Sequence, residues 1–169
     1  MKKRILILSL TTLISVGYVF PGFAQNIGND VPNPVSMYEQ NMNESRNVIK
    51  QPRGSYISTG ILTISNPGDG EIGVSMINIA HQDVDETSFH INLDRWIESE
   101  KRWANIDSYD FVYNKENCPG ENLTEKSVSF HIVGQPADCY YRLRGIHRVT
   151  VGDKQETLSS ETDGLLITK

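Results

Sequence analysis

Thirteen residues, Cys139 to Val151, alternate without a break, and this run constrains the fold more than any other feature of the chain. Tyr141, Leu143, Gly145, His147, Val149 and Val151 fall on one parity; Tyr140, Arg142, Arg144, Ile146, Arg148 and Thr150 fall on the other. A side-chain period of two belongs to a strand with one buried face, because successive Cβ atoms point to opposite sides of a sheet. Phe89, Ile91 and Leu93 repeat the pattern against His90, Asn92 and Asp94, as do Val128, Phe130 and Ile132 further on. Turn-forming clusters separate these runs at short intervals: Asn66-Pro67-Gly68-Asp69-Gly70, Gly134-Gln135-Pro136, Gly152-Asp153 and Asp163-Gly164. Seven or eight strands with no long helical period predict an all-β, antiparallel β-sandwich, with a small barrel as the alternative.

Three places break the alternation. The apolar phase changes between Ile61 and Leu62 and again at Ile77, which predicts a bulged hairpin around the Asn66–Gly70 turn. From Trp103, the parity shared with Tyr109, Phe111 and Tyr113 is interrupted at Asn105 and Asp107, where an irregularity is expected.

The N-terminus reads as an address. Lys2, Lys3 and Arg4 precede an apolar run from Ile5 to Phe20, and Gly22 and Ala24 supply the small residues of a cleavage site. The run is shorter than the ~20 residues of a spanning helix. Residues 1–24 are therefore expected to be a cleaved signal peptide, with no membrane insertion afterwards, and the product to be secreted and extracellular. Removing Lys2, Lys3 and Arg4 takes the net charge from −5 to −8. Such a surface repels polyanions, so nucleic acid is not an expected partner. Residues 25–53 are thin in apolar side chains and predict a flexible or marginally helical arm, the helix spanning 36–49 on Tyr38, Met42, Ser45 and Ile49. The β domain is then expected over 54–169.

Cys118 and Cys139 are the two cysteines. In an exported protein an isolated pair reads as one disulfide, and closing such a loop would stabilise the fold by ~3 kcal/mol. A zinc site would need further ligands at close spacing, and no C-x-x-C or H-x-x-x-H occurs.

The remaining constellations are weaker. His81, His90, His131 and His147 have no i, i+2 or i, i+4 relation, so no metal and no cofactor is expected. His147 lies on the apolar parity, where a hydrogen-bonded core histidine is the ordinary outcome. Asp83, Asp85 and Glu86 form an acidic loop without the regular spacing of a calcium site. Arg142, Arg144 and Arg148 form a cationic stripe that either grips an anionic group on a partner or pairs with neighbouring carboxylates such as Asp94. Trp96, Trp103, Tyr109 and Tyr113 could line a sugar-stacking platform, although tryptophans in a small domain also anchor cores. No G-x-S-x-G, H-E-x-x-H or glycine-rich phosphate loop is present, and no catalytic residue is assigned.

The stretch Tyr140-Tyr-Arg-Leu-Arg-Gly-Ile-His-Arg-Val149, with Glu156 and the ending Ser160-Glu-Thr-Asp-Gly-Leu-Leu-Ile167, resembles a family of short secreted proteins of Gram-positive bacteria, a domain of unknown function. The resemblance covers about residues 54–167 and implies an extracellular bacterial protein without an assigned site. The reading that results is a secreted non-catalytic β-domain binding an extracellular protein or glycan. A small secreted hydrolase and a bacteriocin-like antagonist are the alternatives.

Overall fold

In the computed structural model, which describes residues 42–169, nine antiparallel strands form two sheets. The first sheet contains β1 (Glu44–Lys50), β2 (Ile57–Gly68), β3 (Glu71–Ala80) and β6 (Glu125–Ile132), in the order β1-β2-β3-β6. The second has the order β5-β4-β7-β8, built from β4 (Glu86–Ile97), β5 (Arg102–Asn114), β7 (Cys139–Val151) and β8 (Lys154–Glu161). β9 (Leu165–Ile167) pairs with the start of β7, where β8 no longer reaches. Thr162 bridges the gap: its N–H donates to the Leu143 carbonyl at 3.0 Å and its Oγ1 accepts from the Leu143 N–H at 2.9 Å.

The sheets pack face to face as a β-sandwich. Leu62, Ile64, Ile72, Val74, Met76 and Val128 of the first sheet meet Phe89, Ile91, Leu93, Tyr141, Leu143 and Ile167 of the second. Full burial of each such side chain contributes ~1.5–3 kcal/mol, which offsets the ordering of the strands. A second cluster at the far end gathers Ile57, Ala80, Val84, Cys118, Leu123, Val149 and Leu158. One flank is closed by aromatic side chains, with Phe130 of β6 lying 4.9 Å from Tyr109 and 5.4 Å from Phe111 of β5. Turn chemistry follows the sequence. Gly68, Asp69 and Gly70 all take positive φ, and Gly152 takes φ 60° at the first position of the β7–β8 turn.

Two expectations are corrected. Residues 44–50 are an edge strand of the sandwich and not part of a helix or an arm, so the domain begins before residue 54. Ser45, Asn47 and Ile49 turn inward and Arg46, Val48 and Lys50 outward; with two of the three inward residues polar, the period of two is masked in the sequence. The proposed signal peptide and residues 25–41 lie outside the described residues. The phase changes at Ile61 and Ile77 are not bulges: β2 and β3 pair in unbroken register from Thr59↔Ile79 to Ser65↔Gly73. Leu62, Val74 and Met76 face the core while Ile61, Ile77 and Ile79 face outward on the same strands. The β2–β3 irregularities fall instead at the ends, between Ile57 and Thr59 and between Ser65 and Gly68. The break expected near Asn105 is present, with Asp107 opposite Leu93, Asn105 opposite Asp94, and Ile106 left over.

The disulfide is also corrected. Both cysteines are free, Cys118 buried and Cys139 partly buried. The Cys118 N–H donates to the Asn114 carbonyl, and Asn114 lies across β4 from Thr150, near the end of β7. Cys139 begins β7. Eleven residues of extended strand, about 36 Å, separate Cys139 from Thr150, whereas a disulfide requires Cα atoms within about 7 Å. Sequence proximity misled because β7 carries Cys139 away from the Cys118 loop along the whole length of the sheet. Titration of the purified monomeric chain in denaturant without reductant is expected to find two thiols per chain, with no intrachain bridge in a peptide map. A Cys118–Cys139 peptide would contradict this register.

Candidate functional site

Two polar groups stand out against the apolar framework, one inside the sandwich and one on its outer surface. The inner group centres on His147, which is fully buried. Its inward position follows from the β7 alternation. Nδ1–H donates to Asn78 Oδ1 at 2.5 Å, and Nε2 accepts from Ser160 Oγ at 2.8 Å. Asn78 Nδ2 donates to Thr87 Oγ1 at 2.7 Å. The network thus crosses the sandwich: Asn78 lies on β3, His147 on β7 and Ser160 on β8. Gly60 of β2 completes the packing, since a Cβ there would stand 3.0 Å from the His147 ring.

The order hydroxyl, imidazole, side-chain amide is the order of nucleophile, base and orienting group in hydrolases. Here it serves a structural role. Asn78, His147 and Ser160 are all buried, at 2 %, 0 % and 5 % exposure, so the serine Oγ faces other core atoms and not a substrate. Burial holds the His147 pKa down to about 4, and the ring is neutral at ordinary pH.

The outer group lies on the solvent face of the second sheet. Asp94 is buried at 1 % beneath two arginines. Arg144 grips it with two bonds, Nε–Oδ2 at 2.7 Å and Nη2–Oδ1 at 2.9 Å, and Arg142 Nε approaches Oδ2 at 3.2 Å. Burial raises the Asp94 pKa, but the bonds and charges of Arg144 and Arg142 outweigh it, so the carboxyl is held below its ordinary value. Arg142 also reaches Glu161 at 2.6 Å and lies 4.7 Å from the Trp103 ring centre. Trp103 packs edge-on against Trp96 with centroids 5.5 Å apart. Two further rows on this face carry His90 bonded to Asp110 at 2.8 Å and Asn92 accepting from Ser108 at 2.9 Å.

The structure therefore divides the residues singled out in the sequence. Arg142 and Arg144 converge on Asp94 and are engaged in ion pairs; Arg148 stands two rows away from Arg144, exposed, with no ion pair among the described residues. The four-residue aromatic platform is split. The Ile106 bulge reverses the parity of β5, so Trp103 pairs outward with Trp96 while Tyr109 and Tyr113 pack against the core. Burial and a bond to Asp107 push the Tyr109 pKa up to about 12. The histidines are dispersed: His131 pairs with Glu71 at 2.9 Å and His81 Nε2 lies 3.1 Å from the Gln51 carbonyl oxygen. Among the described residues no cluster of His, Cys, Asp or Glu could hold a metal ion. The acidic loop ties strand ends together, Asp83 accepting from Lys115 and from the Leu123 N–H, and Asp85 from the Gly152 N–H.

In comparison with known proteins, no protein-family model and no curated protein matches the chain.

The buried imidazole generates a pH dependence. The unfolded chain takes up a proton on this histidine near 6.5, the folded chain only near 4, so the unfolded state binds more protons between those values. The stabilisation is complete above about pH 6.5 and is lost as pH falls toward 4, a difference of ~3 kcal/mol from this one group. Denaturant unfolding at pH 7.5 and pH 4.5 is expected to show that loss, and equal stability at both would contradict a neutral buried ring. Gly60→Ala should cost ~1–3 kcal/mol at pH 7.5, since the ring is fixed on both nitrogens and cannot yield; a variant as stable as the parent would contradict the close approach.

Proposed function

We propose that the chain is an exported, non-catalytic binding domain that takes an extracellular glycan on the outer face of the β5-β4-β7-β8 sheet. The observation that carries this reading is the fixed polar array on that face. His90–Asp110 and Asn92–Ser108 form adjacent cross-strand pairs, with Arg148 one row beyond His90 on β7 and Trp103 beside Arg142 at the opposite end. A hydroxyl-rich ligand is best held by donors and acceptors that are already oriented, because little side-chain freedom is then lost on binding. Antiparallel ladders on both sides of β4 provide that rigidity. The Asp94 ion-pair cluster supports it from below, fixing Arg142 against Trp103. The partly exposed Trp103 offers an aromatic surface for a sugar ring.

The expected net charge of −8 after signal cleavage argues against a polyanionic ligand and for a neutral glycan, or one whose isolated carboxylate meets Arg148. The N-terminal signal pattern supports an extracellular location. A hydrolase is less well supported, since the Ser160–His147 pair lies within the core.

Glycan-array screening followed by calorimetry tests the proposal. Arg148→Ala and Asp110→Ala replace exposed side chains, so both variants should fold as the parent does. Each is expected to weaken glycan affinity at least tenfold, the worth of one or two charge-assisted hydrogen bonds. Binding that is unchanged in both variants, or no binding of the parent to any glycan, would overturn the assignment.

A further inference from the structure

The outer face of the first sheet differs in kind from that of the second. Four complete rows cross β1, β2, β3 and β6 in register. The two middle strands present no charged side chain in any row, only hydroxyl residues, Gly73 and the outward isoleucines. Val48 adds to these on β1 and is 43 % exposed. Within these four rows charge is confined to the two outer strands, Glu44, Arg46 and Lys50 on β1 and Glu125 and His131 on β6; beyond the last row Glu71 of β3 is bonded to His131. Among the described residues Lys50 and Glu125 make no ion pair, although they end the same row. They are three strands apart, about 14 Å, too far to meet within one chain.

We propose that this face is the two-fold interface of a homodimer. A two-fold axis parallel to the strands and running between β2 and β3 exchanges β2 with β3 and β1 with β6 while preserving every row. Each row then meets itself reversed. Ile61 lies opposite Ile77 of the second copy, so apolar meets apolar at the centre. Lys50 lies opposite Glu125 of the second copy, and Glu44 opposite its His131, which is bonded to Glu71 of its own chain, so the charge match rests on Lys50 and Glu125. Each contact occurs twice, as an isologous interface requires. The packing repeats that of the sandwich itself, one sheet face laid on another. Four strands by four rows give a footprint of about 19 by 26 Å, or about 500 Å² per partner. The total of about 1,000 Å² is at the lower limit for a specific interface, so a dissociation constant in the micromolar range is expected. The glycan face of the other sheet points away from this interface, and the dimer would display two such faces in opposite directions.

Sedimentation velocity of the purified protein across a concentration series, with a charge-swap cycle, tests the proposal. The parent is expected to shift from monomer to dimer between low and high micromolar concentrations. Lys50→Glu sets like charges opposite each other twice and should weaken association at least tenfold. Adding Glu125→Lys should restore association to within about threefold of the parent. Because Lys50 and Glu125 of one chain do not touch, the rescue has no intramolecular route. An axis perpendicular to the strands would place Lys50 opposite Glu44 and give no rescue. Both substitutions are at exposed positions, and an unchanged thermal transition would confirm that each variant folds. A parent that stays monomeric to 1 mM, a Lys50→Glu chain that dimerises like the parent, or a double variant as weak as the single would each overturn the proposal.

Discussion

A neutral imidazole held in the middle of the sandwich is the interaction on which the rest of the arrangement depends. Among the described residues His147 is the one fully buried titratable side chain with a partner on each nitrogen, and those partners sit on opposite sheets. An apolar core aligns sheets only loosely, because hydrophobic burial has no direction. Ser160 on β8 fixes the ring within its own sheet, and the bond from that ring to Asn78 on β3 imposes a direction, favouring one sliding position of the first sheet over the second. Any other leaves a buried donor or acceptor unpaired, at a cost of ~1–3 kcal/mol each. Gly60 lies against the ring for the same reason, since a larger residue would drive the sheets apart.

The two outer faces follow from that fixed alignment. On the second sheet, Asp94 lies under Arg142 and Arg144, and this buried carboxylate ties β4 to β7 from outside as His147 ties the sheets from inside. The ion pairs orient Arg142 over Trp103 and leave Arg148 as the exposed arginine of the stripe. On the first sheet, the four shared rows carry charge only on the two outer strands, and Glu71 of β3 lies beyond them. One face carries an ordered polar array, which suits a hydroxylated ligand; the other is uncharged along the middle of its rows and charged at their ends, which suits a copy of itself.

Much of this was legible in the sequence where one face of a strand is uniformly apolar. The β7 run and the Phe89–Leu93 and Val128–Ile132 strands alternate cleanly because each is covered on one side only, and the all-β sandwich follows from them. Legibility fails where both faces carry apolar residues or where the inner face carries polar ones. Ile61, Ile77 and Ile79 face outward, so they resembled a change of phase in β2 and β3. That illusion concealed Asn78, which continues the inward parity of Ile72, Val74 and Met76 and is the polar residue in that series. Thr87 before Phe89 and Ser160 after Leu158 carry the same signal, a polar residue at an inward position. β1 was missed because Ser45 and Asn47 occupy its inward positions. The cysteine pair illustrates the opposite failure: separation along the chain says nothing about distance when an extended strand carries one partner away.

The most direct test is the protonation state of His147 itself. Nitrogen-15 chemical shifts of the histidine side chains, followed from pH 8 to pH 3.5, distinguish the two neutral tautomers from the charged ring. The architecture described here requires a neutral Nδ1–H ring that does not titrate until the pH approaches 4, with its Nδ1 proton protected from exchange. A His147 that is in the Nε2–H form, or that becomes charged near pH 6.5 in the folded protein, would show that the two sheets are not aligned by this network.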